Sequence, residues 1–490
     1  LITEQKLPRL SARSSNVQLP YDRTAVTPGI VHLGVGAFQR AHLAVYTDDM
    51  LGTDPSWGIV GASLRRPDTY AALQPQDFLY TLVMRDSAAA QMRIVGSLLD
   101  VIDATARRQA LLAAMVDSRI RIISLTVTEK GYCHDPAIGL LDSDHPDIRH
   151  DLSHPDAPVS VPGLLVRALE LRRKHGCPPL AILCCDNLPA NGDTTARVVT
   201  DFAALRDKDL ASYIGAEIAF PSTMVDRIVP ATTDADRLEV ARATGFEDAW
   251  PVVTEPFSQW VIEDRFPAGR PAWETTGAQM VGDVRPFELM KLHMLNGSHS
   301  ILAYLGYLSG CTYVAEAVTN PLLHQVVRDF MTEEVMPTLP QGLGDMAAYR
   351  ELLLQRFANS ALKHRTWQIA MDGSQKMPQR LLATIRERLA IGLPARRAIL
   401  GVAAWLRYAT GIDEHGNPID VRDPLAERLK AALATRSPAD AVDRVLEMRE
   451  IFGSDLPSND AFRLELRQFY ASLLEQGALV TAKTLVKYDR

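Results

Sequence analysis

The spacing of apolar residues changes character part-way along the chain. In the first half, short apolar runs of strand length recur between segments of helical spacing. "GIVHLGVGAFQRAHLAVYTDDML" (29–51) opens with such a run, turns at Gly34 and Gly36, and continues with a helix-like pattern. "WGIVGASL" (57–64) predicts another strand, as do the β-branched "IRIISLTVTEKGYC" (120–133) and the apolar "PLAILCCDNLPANG" (179–192). "VPGLLVRALELRRKHG" (161–176), between the last two, carries its apolar residues on one helical face. Alternating strand and helix predict an α/β fold with a doubly wound parallel sheet. The proline-punctuated, aromatic-rich segments 220–233 and 250–273 are read as its remaining strands and connections. From residue 284 helical spacing takes over, through 288–308, 396–411 and 463–488, and strand signals become scarce. The expected organisation is a dinucleotide-binding domain over 1–283 and a mostly α-helical substrate-binding and catalytic domain over 284–490, with the boundary near "GDVRPFE" (282–288).

Composition narrows the functional classes. A chain of 490 residues exceeds one compact core, which fits two domains or three. The net charge of −7 argues against a nucleic-acid partner, although a local pocket can still attract an anion. The five cysteines are scattered and show no zinc spacing, and adjacent Cys184 and Cys185 sit in an apolar run as small core residues. No metal site is therefore expected, and a reducing cytoplasm fits best. No run of 18 apolar residues is present, and "LITEQKLPRLSARSSNVQLP" lacks a signal-peptide core, so no membrane partner is expected.

The candidate chemistry falls where the strands end. A Gly-x-Gly turn between strand and helix lets backbone N–H groups approach a pyrophosphate, which makes the sheet Rossmann-like. Gly34, Gly36, Ala37 and Phe38 are the candidate cofactor contacts there, with Gln39 in place of the usual third glycine. A plain tight turn is the competing reading of Gly-x-Gly alone. Asp68, after the second strand, is the candidate for the adenosine ribose; Arg65 and Arg66 leave NADP as the alternative to NAD. Thr128, Glu129 and Lys130 follow one strand, and Asp186 and Asn187 follow another, in the positions where open α/β sheets bind ligands.

"KLHMLNGSHS" (291–300) carries Lys291, Asn296 and His299. On an α-helix Lys291 and Asn296 are about 140° apart and Lys291 and His299 about 80° apart, so one face can hold all three. This is either a solvated polar stripe or a catalytic helix. Leu292, Met294, Leu295, Ile301, Leu302 and Leu305 favour burial, and the position at the start of the second domain suggests an interdomain cleft. Oxidation of a secondary alcohol by a nicotinamide needs a base for the hydroxyl proton and donors for the developing alkoxide. A lysine serves as base without zinc when burial lowers its pKa. Asparagine amides donate to the oxyanion, so Asn187 and Asn296 would clamp one oxygen, and a histidine fixes the substrate.

The segments "GVGAFQRAH", "TEKGYC", "CDNLPANG", "FPSTMVDRIVP", "EPFSQWVIEDRF" and "MKLHMLNGSH" resemble the long-chain polyol-specific dehydrogenases, over nearly the whole chain. That family includes mannitol 2-dehydrogenase and fructuronate reductase. Its Lys-x₄-Asn-x₂-His signature is matched by Lys291, Asn296 and His299. The resemblance implies Lys291 as general base, Asn187 with Asn296 as oxyanion site, and Glu129 as a proton-exchange group near the lysine. Gln39 departs from the family, which often has His there. A carboxylate substrate calls for a cation, best an arginine fork. His364, Arg365, Lys376 and Lys130 are the candidates, with solvated surface charge as their plain alternative. "TEKGYC", "HRTWQIAMDGSQK" and "MLNGSHSILAYLGYL" are most similar to the fructuronate reductase branch. The implied activity is NAD-dependent, metal-independent interconversion of D-fructuronate and D-mannonate. The alternatives are a neutral-polyol dehydrogenase (mannitol, arabinitol) and a nucleotide-binding sensor without turnover. The family includes monomers.

Overall fold

The computed structural model describes residues 7–14, 17–86, 89–135 and 139–486. It divides into two compact units, Leu1–Arg285 and Pro286–Arg490. The first unit is built on five parallel strands: β1 (Pro28–Leu33), β2 (Gly58–Ser63), β3 (Leu98–Asp103), β4 (Ile122–Leu125) and β5 (Ala181–Cys184). Their order is β3-β2-β1-β4-β5, the order of a doubly wound Rossmann sheet, and it reverses direction between β1 and β4.

Both faces of the sheet are covered, which is why its strands read as unbroken apolar runs. Val31, Leu33, Ile123, Leu125, Ile182 and Cys184 belong to one core cluster, whereas Ile30, Ile122, Leu183 and Cys185 belong to another. The period-2 alternation thus sends adjacent Cys184 and Cys185 to opposite faces, both buried. His32, fully buried in β1, has both ring nitrogens within hydrogen-bond reach of hydroxyls: Ser124 Oγ at 2.8 Å and Thr126 Oγ1 at 2.9 Å. The predicted helix at 161–176 is present as Val161–Lys174, capped by the Ser160 hydroxyl.

Two expectations change in detail. Segments 220–233 and 250–273 do form strands, but none joins the parallel sheet. Thr223–Asp226 pairs antiparallel with Gln259–Glu263, and Val252–Thr254 pairs with Tyr80–Arg85, which forms a hairpin with Ala90–Val95. That hairpin and β3 follow the second strand and have no counterpart in the sequence reading.

The second unit is helical, with no strand among its described residues beyond isolated bridges. Arg396–Ala409 is buried on all sides from Arg397 onward and packs against Asp460–Gln476 and Ser298–Leu308. The expected 463–488 helix is broken at Gly477, φ +80°, into Asp460–Gln476 and Ala478–Lys483; residues 487 and 488 lie outside the described residues. The expected 288–308 helix exists, but its register is not uniform. Arg285–Met290 is α-helical, Lys291–Gly297 is a π-helical turn, and Ser298–Leu308 is α-helical again. Two further π-helical turns, Phe330–Val335 and Pro378–Leu382, pack against it. A Cβ on Gly297 would stand 3.1 Å from both the Arg380 carbonyl oxygen and the Phe330 ring, so one residue from each π turn meets there. Among the described residues, no helix is long and apolar enough to cross a membrane.

Candidate active site

In the first unit the chain leaves β1 through Gly34, at φ +93°. A Cβ there would sit 2.2 Å from the Thr126 carbonyl oxygen, so only glycine fits. Gly36 differs. Its φ is −122°, and a Cβ would meet nothing nearer than the Gly34 oxygen at 3.8 Å. The protein's own packing therefore does not demand glycine at 36, which leaves room for a pyrophosphate to approach the backbone there. Ala37 and Phe38 are half-buried at the start of the short helix Ala37–Ala41. Gln39 is fully buried, and neither end of its amide has a partner among the described residues.

A cavity of about 320 Å³ lies at the carboxyl ends of three strands. Gly34 and Val35 line it after β1, Ser63 to Arg66 after β2, and Thr126 to Thr128 after β4. This is where the strand order reverses, the usual ligand position in such sheets. The Ser63 hydroxyl is buried at its wall without a partner among the described residues. The glycine turn and this hydroxyl suit a dinucleotide. Asp68 is exposed in the first turn of Asp68–Leu73 and is not among the lining residues, whereas Arg65, Arg66 and Thr69 are.

Asp186 ties the loops after β4 and β5 together. Its carboxylate accepts from Val127 N (2.9 Å), Thr128 N (3.0 Å) and Tyr132 Oη (2.6 Å). Burial raises its pKa against the pull of those donors. Thr128 is held at φ +66°, unusual for a residue with a side chain. Exposed Asn187 comes next to Asp186, and Asn191 fixes that loop from behind. Asn191 Nδ2 donates to Asp186 O (3.0 Å) and Thr223 O (2.8 Å), and its Oδ1 accepts from Thr223 N (2.9 Å). Glu129 and Lys130 are exposed in the short turn Glu129–Tyr132.

One mixed donor group occurs among the described residues: Cys133, His145 and Asp147 offer atoms within 4.8 Å of one another. Sequence spacing does not reveal it because tertiary packing makes it. His145 Nδ1 already accepts from the Asp147 N–H as a helix cap (3.2 Å).

In the second unit, Lys291 is half-buried and Asn296 and His299 are only 9% and 7% exposed, so this is no solvated stripe. A turn closed by i→i+5 hydrogen bonds also places residues five apart one above the other, which aligns Lys291 and Asn296 better than an α-helix would. The His299 ring packs at 4.6 Å from the Phe357 ring and edge-on at 5.4 Å to His364. Burial first, then the charges of His364, Arg380, Arg356 and Lys376, hold its pKa well below the ordinary value, so the imidazole is neutral. Lys376 donates to Ile369 O (3.3 Å) and Met371 O (2.5 Å), and burial with Arg380 pushes its pKa down to about 8. Arg365 is exposed at the start of Thr366–Ala370 and is not among the groups acting on His299.

The structure places His364 and Lys376, candidate cations in the sequence, near His299, together with Arg356 and Arg380, which the sequence did not single out; nor did it single out Asn191 behind Asp186. The available signals were arginines inside apolar helical runs, "LLLQRF" and "PQRLL", and the second asparagine of "CDNLPAN".

A Rossmann unit with a cavity at its strand ends and a helical unit carrying half-buried Lys291 with buried Asn296 and His299 are the parts of a two-domain oxidoreductase. Residues 28–275 match the mannitol dehydrogenase Rossmann domain and residues 283–474 the mannitol dehydrogenase C-terminal domain; the chain belongs to the mannitol dehydrogenase family. D-mannonate oxidoreductase of Escherichia coli (strain K12) is 46% identical over 465 residues, 94% of this chain and 96% of that one. Mannitol 2-dehydrogenase of Pyrenophora tritici-repentis is 41% identical over 474 residues, 95% of this chain and 83% of that one. The solved Pseudomonas fluorescens mannitol 2-dehydrogenase, a ternary complex with NAD and D-mannitol, superposes with a TM-score of 0.86 at 40% identity, covering 97% of this chain and 99% of that one.

Proposed function

We propose that this oxidoreductase interconverts D-fructuronate and D-mannonate with NAD, the acidic substrate distinguishing it from polyol dehydrogenases such as mannitol 2-dehydrogenase. The observation that carries this reading is the group of basic side chains around His299, namely His364, Arg356, Lys376 and Arg380, within the second unit. The cations among them, Arg356, Arg380 and Lys376, favour an anionic ligand over a neutral polyol, whereas burial and Lys376 hold the pKa of His364 down. The 46% identity to D-mannonate oxidoreductase supports the same choice.

NAD, held by the turn Gly34–Phe38 and the cavity walls, supplies or accepts the hydride. Arg65, Arg66, Thr128 and Asp68 are the groups proposed to discriminate at its adenosine and ribose ends. In the reductive direction, protonated Lys291 delivers its proton to the oxygen of the former keto group, and Asn187 and Asn296 donate hydrogen bonds to that oxygen as charge develops. Neutral His299 orients the substrate by accepting from, or donating to, a hydroxyl. Glu129 exchanges the lysine's proton with solvent. His364, Lys376, Lys130 and Arg365 are proposed to face the acid end. A lysine in the acid–base role performs the proton transfer without a metal ion.

Lys291→Ala tests the assignment. The expected loss in kcat is at least about 100-fold, the ordinary contribution of one general acid–base group, with NADH binding retained. Near-normal turnover by the folded variant would contradict it.

A further inference from the structure

Of the basic groups near His299, one stands apart in how its charge is compensated. Lys376 is tied to two carbonyl oxygens and lies near the carboxylates of Asp372 and Asp423. Among the described residues the Arg380 guanidinium makes only two hydrogen bonds, both long, both from Nη1 and both to neutral acceptors: Asn296 O at 3.4 Å and Ser300 Oγ at 3.3 Å. Among the described residues no carboxylate forms an ion pair with it. Its Nε and Nη2 hold no hydrogen bond, and neither is sealed from solvent. Burial lowers its pKa to about 10, so it stays charged at neutral pH. A recessed, unneutralised guanidinium with its fork open is costly unless something anionic binds it. Its position is specific as well, because the acceptor on Nη1 belongs to Asn296, the signature asparagine, and its charge acts on His299.

We propose that Arg380 is the specificity-determining residue that receives the carboxylate of a sugar-acid substrate through its free Nε–Nη2 edge. This deepens the acid-substrate reading and rests on it. It places the decisive cation on Arg380 rather than on exposed Arg365 or Lys130. The planar fork matches a carboxylate with two parallel N–H···O bonds, which neither the Lys376 ammonium nor the His364 ring can offer.

The test compares wild type, Arg380→Met and Arg380→Lys in NADH-dependent reduction of fructuronate, with NADH affinity measured by fluorescence as the check on folding. The expected result for Arg380→Met is a KM for fructuronate raised about 10- to 150-fold, equivalent to roughly 1.5–3 kcal/mol for a hydrogen bond to a charged group, with kcat changed far less. Arg380→Lys, which keeps the charge and loses the fork, is expected to fall between the two. A loss confined to kcat at unchanged KM would overturn the assignment, since it would show Arg380 serving only to hold the Asn296 turn. An unaltered KM and kcat would overturn it as well. Wild type inert toward fructuronate would overturn the acid-substrate reading itself and the assignment with it.

Discussion

His32, His293 and His299 are buried deeply enough to stay neutral: burial pushes His32 down to about 3 and His293 to about 4, and holds His299 well below its ordinary value. For the candidate site this means that His299 is a neutral ring across the physiological range. For stability it fixes a sign. Each histidine binds a proton in the unfolded chain below about pH 6.5 but not in the native one, so its contribution is present above that pH and lost below it. Asp48, Asp186 and Glu334 have raised pKa values through burial and act in the opposite sense at lower pH. Unfolding free energy is therefore expected to fall by about 1 kcal/mol for each of His32 and His293 between pH 6.5 and 5.5, and more steeply below that, approaching about 1.4 kcal/mol per pH unit once the unfolded ring is fully protonated. Urea titrations at pH 7.0 and 5.5 measure this; a smaller drop is expected for His32→Asn, and a flat profile would contradict the account. At this scale the sequence is legible where a signature speaks, as at Lys291, Asn296 and His299. It marks Asp186 only by its place at a strand's end and is silent on Asn191 and Arg380, because their roles are set by partners from other elements.

The π-helical turn over Lys291–Gly297 shows what periodicity can and cannot report. Apolar spacing marks a helix through 288–308, but seven residues are too few to tell a wider turn from an α-helical one. The π register comes from packing, with Gly297 seated against Phe330 and Arg380. The same limit hid β3 and the Tyr80–Val95 hairpin, whose residues mix apolar and charged types without a clean period, whereas β1, β4 and β5 were legible because both faces are buried. Gly373, in "MDGSQK", is another element-level constraint. A Cβ there would lie 2.3 Å from Trp405 Nε1 and 2.6 Å from the Tyr304 hydroxyl, both deep in the helical core. Gly373→Ala is expected to destabilise the second unit by about 1–3 kcal/mol through overpacking, measured as a lowered urea midpoint. An unchanged midpoint would show that Trp405 and Tyr304 can yield.

On the scale of the whole molecule, the change from strand-and-helix alternation to helical spacing anticipates an α/β unit followed by a helical one, and the family follows from matches over 28–275 and 283–474. Substrate choice is harder to read, because D-mannonate oxidoreductase and mannitol 2-dehydrogenase resemble this chain almost equally, at 46% and 41% identity. The discriminating feature is charge. The chain is net negative at −7, yet its second unit gathers four basic groups around His299. On the proposed reading, the local field of Arg356, Arg380 and Lys376 opposes the molecule's own total and favours an anion. The measurement that tests this most directly is NADH oxidation at 340 nm with fructuronate and fructose offered in parallel, each repeated with NADPH. Efficient turnover of fructuronate with NADH and little or none of fructose is the predicted result. A preference for fructose would contradict the account, reducing the basic cluster to a structural feature of a polyol dehydrogenase.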